Sequence, residues 1–234
     1  MIKFGTGGWR AVIGDDFTKA NIQLLAQGLV NKMKSEGVTE QGMVMGYDRR
    51  FLSKEAMQWA AEVFAAAQIK AYLINKSSPT PLVMFYVMKH DFPYGMMITA
   101  SHNPREYNGY KVYWEDGAQV TPPHDTGIMA EVAKVTSFDM VKTMEKEKAQ
   151  AEGLYQIISD DVDESYFAEL RNLSIHPEII KKMAKDIKIV YTPLHGTGLG
   201  PVKRVLHDLG FENVYIEPQQ AVADGHFPTA PYPN

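Results

Sequence analysis

Three short apolar runs, at residues 42–47, 70–74 and 96–98, constrain this chain more than any other feature. Each is too short for a buried helix, and the stretches between them carry helical spacing instead. Ile22, Leu25, Ala26, Leu29 and Met33 recur between Thr18 and Gly37, the latter a natural helix stop. Ser53 is placed to cap a second helix whose alanines (Ala56, Ala60, Ala61, Ala65) allow close packing on a sheet. Thr80-Pro81 supplies the cap and first-turn proline of a third, running to about His90. Strand and helix in alternation give an α/β fold, a parallel sheet covered by helices.

At 234 residues the chain has room for one large domain or two ordinary ones. After Pro122-Pro123 a helix is expected to about Val135, and from Ser137 to Gly153 the composition turns to Lys, Glu, Met and Gln, as in a solvated connector. The expected division is a first domain over 1–150, then connector helices and an incomplete second domain over 151–234. In the second part, strands at 187–191 and 214–216 flank a glycine-bearing loop and a helix at 202–209. Asp160-Asp161-Val162-Asp163-Glu164 has the look of a metal cluster. Carboxylates opening an amphipathic helix (Tyr166, Phe167, Leu170, Leu173) are explained more simply by the positive end of the helix dipole.

Ligands in open α/β sheets bind where strands end. One strand ends in Thr99-Ala100-Ser101-His102-Asn103-Pro104, where an Asn-Pro turn sets a hydroxyl beside an imidazole. Another ends in Asp48-Arg49-Arg50. Near the start, Gly5-Thr6-Gly7-Gly8-Trp9-Arg10 combines a permissive backbone with a guanidinium, a pairing suited to phosphate or carboxylate. Tyr110 to Trp114 reads as a strand carrying Lys111, which Asn108-Gly109 links tightly to the serine loop.

Composition narrows the partners. Net charge is -4 with no basic run, which disfavours nucleic acid. No apolar run approaches the roughly 18 residues of a membrane helix, and the N-terminal residues lack a signal-peptide pattern, so a cytoplasmic location is expected. With zero cysteines there are no disulfides and no thiolate nucleophile or ligand.

Taken in order, four segments resemble the N-terminal part of the alpha-D-phosphohexomutases, the family of phosphoglucomutase and phosphomannomutase. They are Gly5-Thr6-Gly7-Gly8-Trp9-Arg10; Gly46-Tyr47-Asp48-Arg49-Arg50; Thr99-Ala100-Ser101-His102-Asn103-Pro104 with Asn108-Gly109-Tyr110-Lys111; and His195-Gly196-Thr197-Gly198. The resemblance implies a mixed, mostly parallel first-domain sheet. It also implies that Ser101 carries a phosphoryl group, given to a sugar monophosphate and returned from a sugar 1,6-bisphosphate. Arg10 would then contact the phosphoserine region, and His102 and Lys111 would serve proton transfer. Gly7, Gly8, Arg10, Arg50, Asn103 and Lys111 would bind substrate or phosphate. Mg2+ would sit against phosphorylated Ser101, with glucose 1,6-bisphosphate as primer.

The D-G-D-x-D-R loop that holds Mg2+ in this family does not occur in the sequence, nor do the family's sugar loop and distal phosphate clamp. The expectation is therefore a fragment without appreciable mutase turnover, whose exposed sheet surface favours self-association. The choice among glucose, mannose and pentose phosphates is expected to rest on a third domain. Other readings are a non-catalytic sugar-phosphate-binding remnant and a dinucleotide site at Gly196, Gly198 and Gly200. The second has G-x-G-x-G where G-x-G-x-x-G is required. A serine hydrolase lacks its G-x-S-x-G elbow.

Overall fold

The computed structural model describes residues 2, 4, 8–158 and 163–230. Its main sheet has six strands: β1 (Gly8–Val12), β2 (Met43–Tyr47), β3 (Ala71–Ile74), β4 (Tyr94–Ile98), β5 (Tyr107–Trp114) and β6 (Tyr155–Ile158). Their spatial order is β1-β5-β4-β2-β3-β6. The pairs β4–β2, β2–β3 and β3–β6 are parallel, whereas β1–β5 and β5–β4 are antiparallel. The sheet is thus mixed and mostly parallel, as expected. Every residue of β2 and of β4 is buried, as strands covered on both faces require.

Helices α1 (Lys19–Glu36) and α2 (Ser53–Ala66) cover one face, with α4 (His124–Ala133) packed on α1. Their core gathers Leu25, Leu29, Met45, Phe64 and Ile98. Helix α3 (Thr80–Lys89) covers the other face through Leu82, Val83, Tyr86 and Val87. Two expected caps move. Thr18 caps α1 by accepting from Asn21 N and Gly37 closes it in the left-handed region, as their residue types suggested. Ser53 does not cap α2; Leu52 holds that position and Ser53 is the first helical residue, buried and committed to Asp48. At α3 the cap is Pro79, with Thr80 inside the helix. No described helix is long and apolar enough to cross a membrane.

The main sheet also runs past residue 150. Within the expected connector, α5 (Lys146–Ala151) packs on α2 and buries Ala149, and β6 then pairs in parallel with β3. Beyond it, α6 (Asp163–Asn172), α7 (Pro177–Met183), β7 (Lys188–Tyr191), α8 (Leu199–Asp208), β8 (Asn213–Ile216) and α9 (Pro218–Ala221) follow. Strands β7 and β8 form a separate two-stranded parallel sheet. Residues 160–162 of the acidic run lie outside the described residues. Asp163, at the start of α6, is buried and takes an ion pair from Lys76 and a hydrogen bond from Tyr86 Oη at 3.2 Å. That carboxylate therefore ties α6 to the first sheet, a role beyond favourable helix-dipole charge.

Candidate active site

Where β4 ends, the chain passes through Thr99 and Ala100, both buried, to an exposed Ser101 in the left-handed region, φ 58°. Non-glycine residues enter that region at a cost and are held there by their surroundings. The holding is visible here. Ser101 N donates to Thr99 Oγ1 at 2.9 Å. Arg50, buried, commits its guanidinium to four backbone carbonyls: Nη1 donates to Pro104 O and Tyr107 O, each at 2.9 Å, and Nη2 to Ser101 O at 2.9 Å and Asn103 O at 2.6 Å. Arg50 was expected to bind phosphate; in the structure both its Nη groups serve the loop's own carbonyls. With both Nη groups committed, and Nε 3.6 Å from Asp48 Oδ2, it shapes the serine loop. What the structure gives Asn103 is likewise a loop contact, its carbonyl receiving Arg50.

Beneath Arg50 lies a buried polar network. Asp48 Oδ1 accepts from Arg50 N at 2.9 Å and from Ser53 Oγ at 2.7 Å. Asn108 Nδ2 donates to Ser53 Oγ at 2.9 Å and to Phe51 O at 3.0 Å. Burial pushes the Asp48 carboxyl above its ordinary range, against the opposing effect of hydrogen bonds from Thr99, Ser53 and Arg50 N. Gly109, next along, permits a close approach: a Cβ there would stand 2.5 Å from Trp9 O and 2.6 Å from Thr99 O. Only glycine lets β1, β5 and the serine loop meet at this point.

Ser101 opens onto a cavity of about 230 Å³ lined also by Arg49, Thr80, Met97, His102, Gly196, Thr197 and Phe227. Ser101 Oγ and His102 Nδ1 are 3.3 Å apart. Gly196 and Thr197 belong to the expected His195-Gly196-Thr197-Gly198 segment, so the fold brings the third and fourth motifs face to face. His195 is buried; its Nδ1 lies 2.9 Å from Val222 O and its Nε2 2.9 Å from Thr229 Oγ1. These contacts hold the segment 222–229, whose Phe227 ring sits 5.6 Å from the Arg50 guanidinium carbon.

Arg10, Gly8 and Lys111 occupy neighbouring strands and do not line this cavity. Gly8 pairs with Lys111 and Arg10 with Gly109, while Lys111 also stands opposite Met97, a residue of the cavity wall. Directly opposed and alternate residues share a face. Arg10 and Lys111 are therefore on the face that carries Met97, with Lys111 buried. Burial first, and the Arg10 charge second, lower the Lys111 pKa from its ordinary value. Gly7 lies outside the described residues.

Among the described residues no group of three or more His, Asp or Glu side chains is arranged to hold a metal ion. Asp48, the carboxylate on the cavity wall, is engaged by its own network. The residues present thus offer a cation no cage beyond what phosphorylated Ser101 would supply. Sequence reasoning singled out Thr197 only within its segment and missed Thr80 and Phe227 as cavity residues. Phe227 carried no signal, since an isolated aromatic in a proline-rich tail reads as packing.

Comparison with known proteins is consistent with this geometry. Residues 1–139 match the family model described as phosphoglucomutase/phosphomannomutase, alpha/beta/alpha domain I, and residues 164–234 match that of domain II. A Schizosaccharomyces pombe protein assigned as a phosphoribomutase is 36% identical over 242 residues, covering 100% of this chain and 40% of its own length. A phosphoglucomutase of Staphylococcus saprophyticus is 33% identical over 240 residues, covering 100% of this chain and 42% of its own. The crystal structure of a Thermus thermophilus protein assigned as a phosphomannomutase superposes with a TM-score of 0.77 at 26% identity, covering 96% of this chain and 47% of that one. The chain spans about two fifths of the length of these curated relatives.

Proposed function

The chain belongs to the phosphoglucomutase/phosphomannomutase family, and from that premise we propose that it carries the phosphoserine half of a sugar-phosphate mutase, with Ser101 as the phosphoryl carrier. The observation that carries this reading is Ser101 itself, an exposed hydroxyl in a left-handed turn that Arg50 fixes through four carbonyls. Phosphoryl transfer asks for positioning and charge neutralisation above all. A rigid serine facing the cavity, with Arg49 on its wall, Lys111 one strand away and Arg10 two, meets both needs.

In the forward step the bond between Ser101 Oγ and phosphorus breaks and a bond from the sugar hydroxyl oxygen to phosphorus forms. Lys111, neutral, takes the hydroxyl proton, and His102, protonated, gives its proton to the departing Oγ. The return step runs the same exchange from the other phosphoryl group of the bisphosphate, which restores all three residues. A lysine whose cationic form is disfavoured by burial and by Arg10 suits the part of base. Sugar phosphates, hexose or pentose, are the proposed substrates and glucose 1,6-bisphosphate the primer. Among the described residues no carboxylate cage is set for Mg2+, and phosphorylated Ser101 would be its one ligand there.

The test is the intact mass of the chain before and after incubation with glucose 1,6-bisphosphate and Mg2+. One phosphoryl group on Ser101, absent from Ser101→Ala, is expected. A phosphoryl group elsewhere overturns the assignment, and bound bisphosphate without transfer favours a sugar-phosphate-binding role. By itself this chain is expected to give no appreciable interconversion of glucose 1-phosphate and glucose 6-phosphate, since it lacks the D-G-D-x-D-R loop. A coupled assay showing turnover by the pure chain would contradict that.

A further inference from the structure

A second cavity, of about 370 Å³, lies beside the Ser101 cavity between Ser77 and Ser78 of the β3–α3 loop and the start of α8 at Gly200. Arg49 and Thr197 line both. The charges around the second cavity do not balance equally. Lys76 is paired with Asp163. Arg204 is held at both ends, by Glu164 through two bonds of 2.8 Å and by Asp208 through two of 2.9 Å.

Arg49 is different. Its Nε approaches Ser77 Oγ at 3.4 Å, and its Nη1 is buried with no hydrogen-bond partner among the described residues. None of the ion pairs found among those residues includes it. Burial lowers its pKa from the ordinary arginine value, with only the Tyr191 hydroxyl opposing. A half-buried guanidinium whose Nη1 is sealed from water without a counter-ion carries a desolvation cost, which a bound anion offsets. A planar donor fork at the wall of this cavity, next to a serine hydroxyl, matches a phosphate group.

We propose that this second cavity is an anion site in which Arg49, with Ser77, takes the phosphate group of a phosphate ester. The proposal goes beyond the role of Ser101 and does not require it. The phosphate has two sources: the far phosphoryl group of a bisphosphate whose near one lies at Ser101, or a separate phosphate ester.

Side-chain NMR of the labelled full chain, following the Arg49 Nε–H signal and the Ser77 amide during titration with inorganic phosphate, tests the site. A saturable shift of both is expected, retained in Ser101→Ala and weakened about ten-fold or more in Arg49→Gln. Arg49→Lys, which keeps the charge and loses the fork, is expected to fall between. The wild-type signals alone decide the question if the glutamine variant does not fold: no saturable shift at Arg49 overturns the site. So does equal affinity in a folded Arg49→Gln. Titration with glucose 1,6-bisphosphate then separates the sources. Ser101-loop and Arg49 signals saturating together at one molecule per chain identify a spanning ligand, whereas Arg49 still responding to added phosphate after the Ser101 loop saturates identifies a separate one. Phosphoryl mass on Ser101 is read independently, so either proposal can fail while the other stands.

Discussion

Arg50 and Lys111 are buried cations with different parts: Arg50 shapes the Ser101 turn, and Lys111 is the proposed base. Arg50 works through geometry, because a point-charge ammonium cannot serve four carbonyls at once. Arg50→Lys should cost about 3 kcal/mol of stability, since carbonyls left buried and unpaired lose their charge-assisted bonds. It should also speed hydrogen exchange across 101–108. A denaturant midpoint unchanged from wild type would remove Arg50 from this role. Lys111, the proposed base, would work through its proton. Its folded pKa lies below the ordinary lysine value, so between the two values the unfolded chain binds more protons and stability rises with pH. The stability is full above the unfolded value and is lost as pH falls through the folded one. Lys111→Met keeps the aliphatic stem and removes the desolvated charge. Its stability relative to wild type should therefore grow as pH is lowered from about 10 toward neutrality, while phosphoryl transfer is lost. Urea midpoints across that range test the sign, and a constant difference would contradict it.

At the scale of elements, the close seat of α4 on α1 depends on Gly28. A Cβ there would overlap Val132 Cγ2 and stand 2.9 Å from Val132 Cα. Alanine is the better helix former by about 1 kcal/mol, but forcing two helix backbones apart in a packed core costs about 1–3 kcal/mol. Overpacking should win, so Gly28→Ala is expected to lower the denaturation midpoint and Val132→Ala to restore part of it. A rise in the midpoint of Gly28→Ala would show that α4 can shift freely. The same elements show what a one-dimensional reading reaches. Helices α1 to α3 and strands β2 to β4 were legible because burial on a fixed period leaves its mark on the sequence itself. Strand β6 was not: this edge strand leaves Ile157 exposed and Gln156 half-buried, with no alternating apolar face, and it follows a Lys- and Glu-rich stretch. In the site, Ser101 and His102 could be read from adjacency. Arg50 reaches partners more than fifty positions away, so its type suggested an anion site while only the fold shows both its Nη groups already committed. Asp163 follows the same logic, its partner Lys76 lying far back along the chain.

At the scale of the whole molecule, the part beyond β6 meets the first part through polar contacts and through Tyr166, packed on Phe85 and the α3 cluster, and leaves apolar surface elsewhere. Arg105 donates to His226 O at 3.3 Å, Phe227 covers Arg50, and Asp163 takes Lys76. Of these, Phe227 lines the Ser101 cavity, alongside Gly196 and Thr197. The β7–β8 sheet is bare by comparison. Val190 and Tyr215 stand directly opposite one another, hence on one face, and are 80% and 55% exposed. A two-stranded sheet is marginal alone, and both its strands are edges among the described residues. An apolar pair beside open ladder groups is a template for pairing with a second copy. Sedimentation velocity over a range of concentrations is expected to show the chain self-associating, and Val190→Lys with Tyr215→Lys to shift it toward monomer without altering the Ser101 cavity. A wild-type chain that stays monomeric throughout, or association untouched by the two lysines, would mean that this face is not where copies meet.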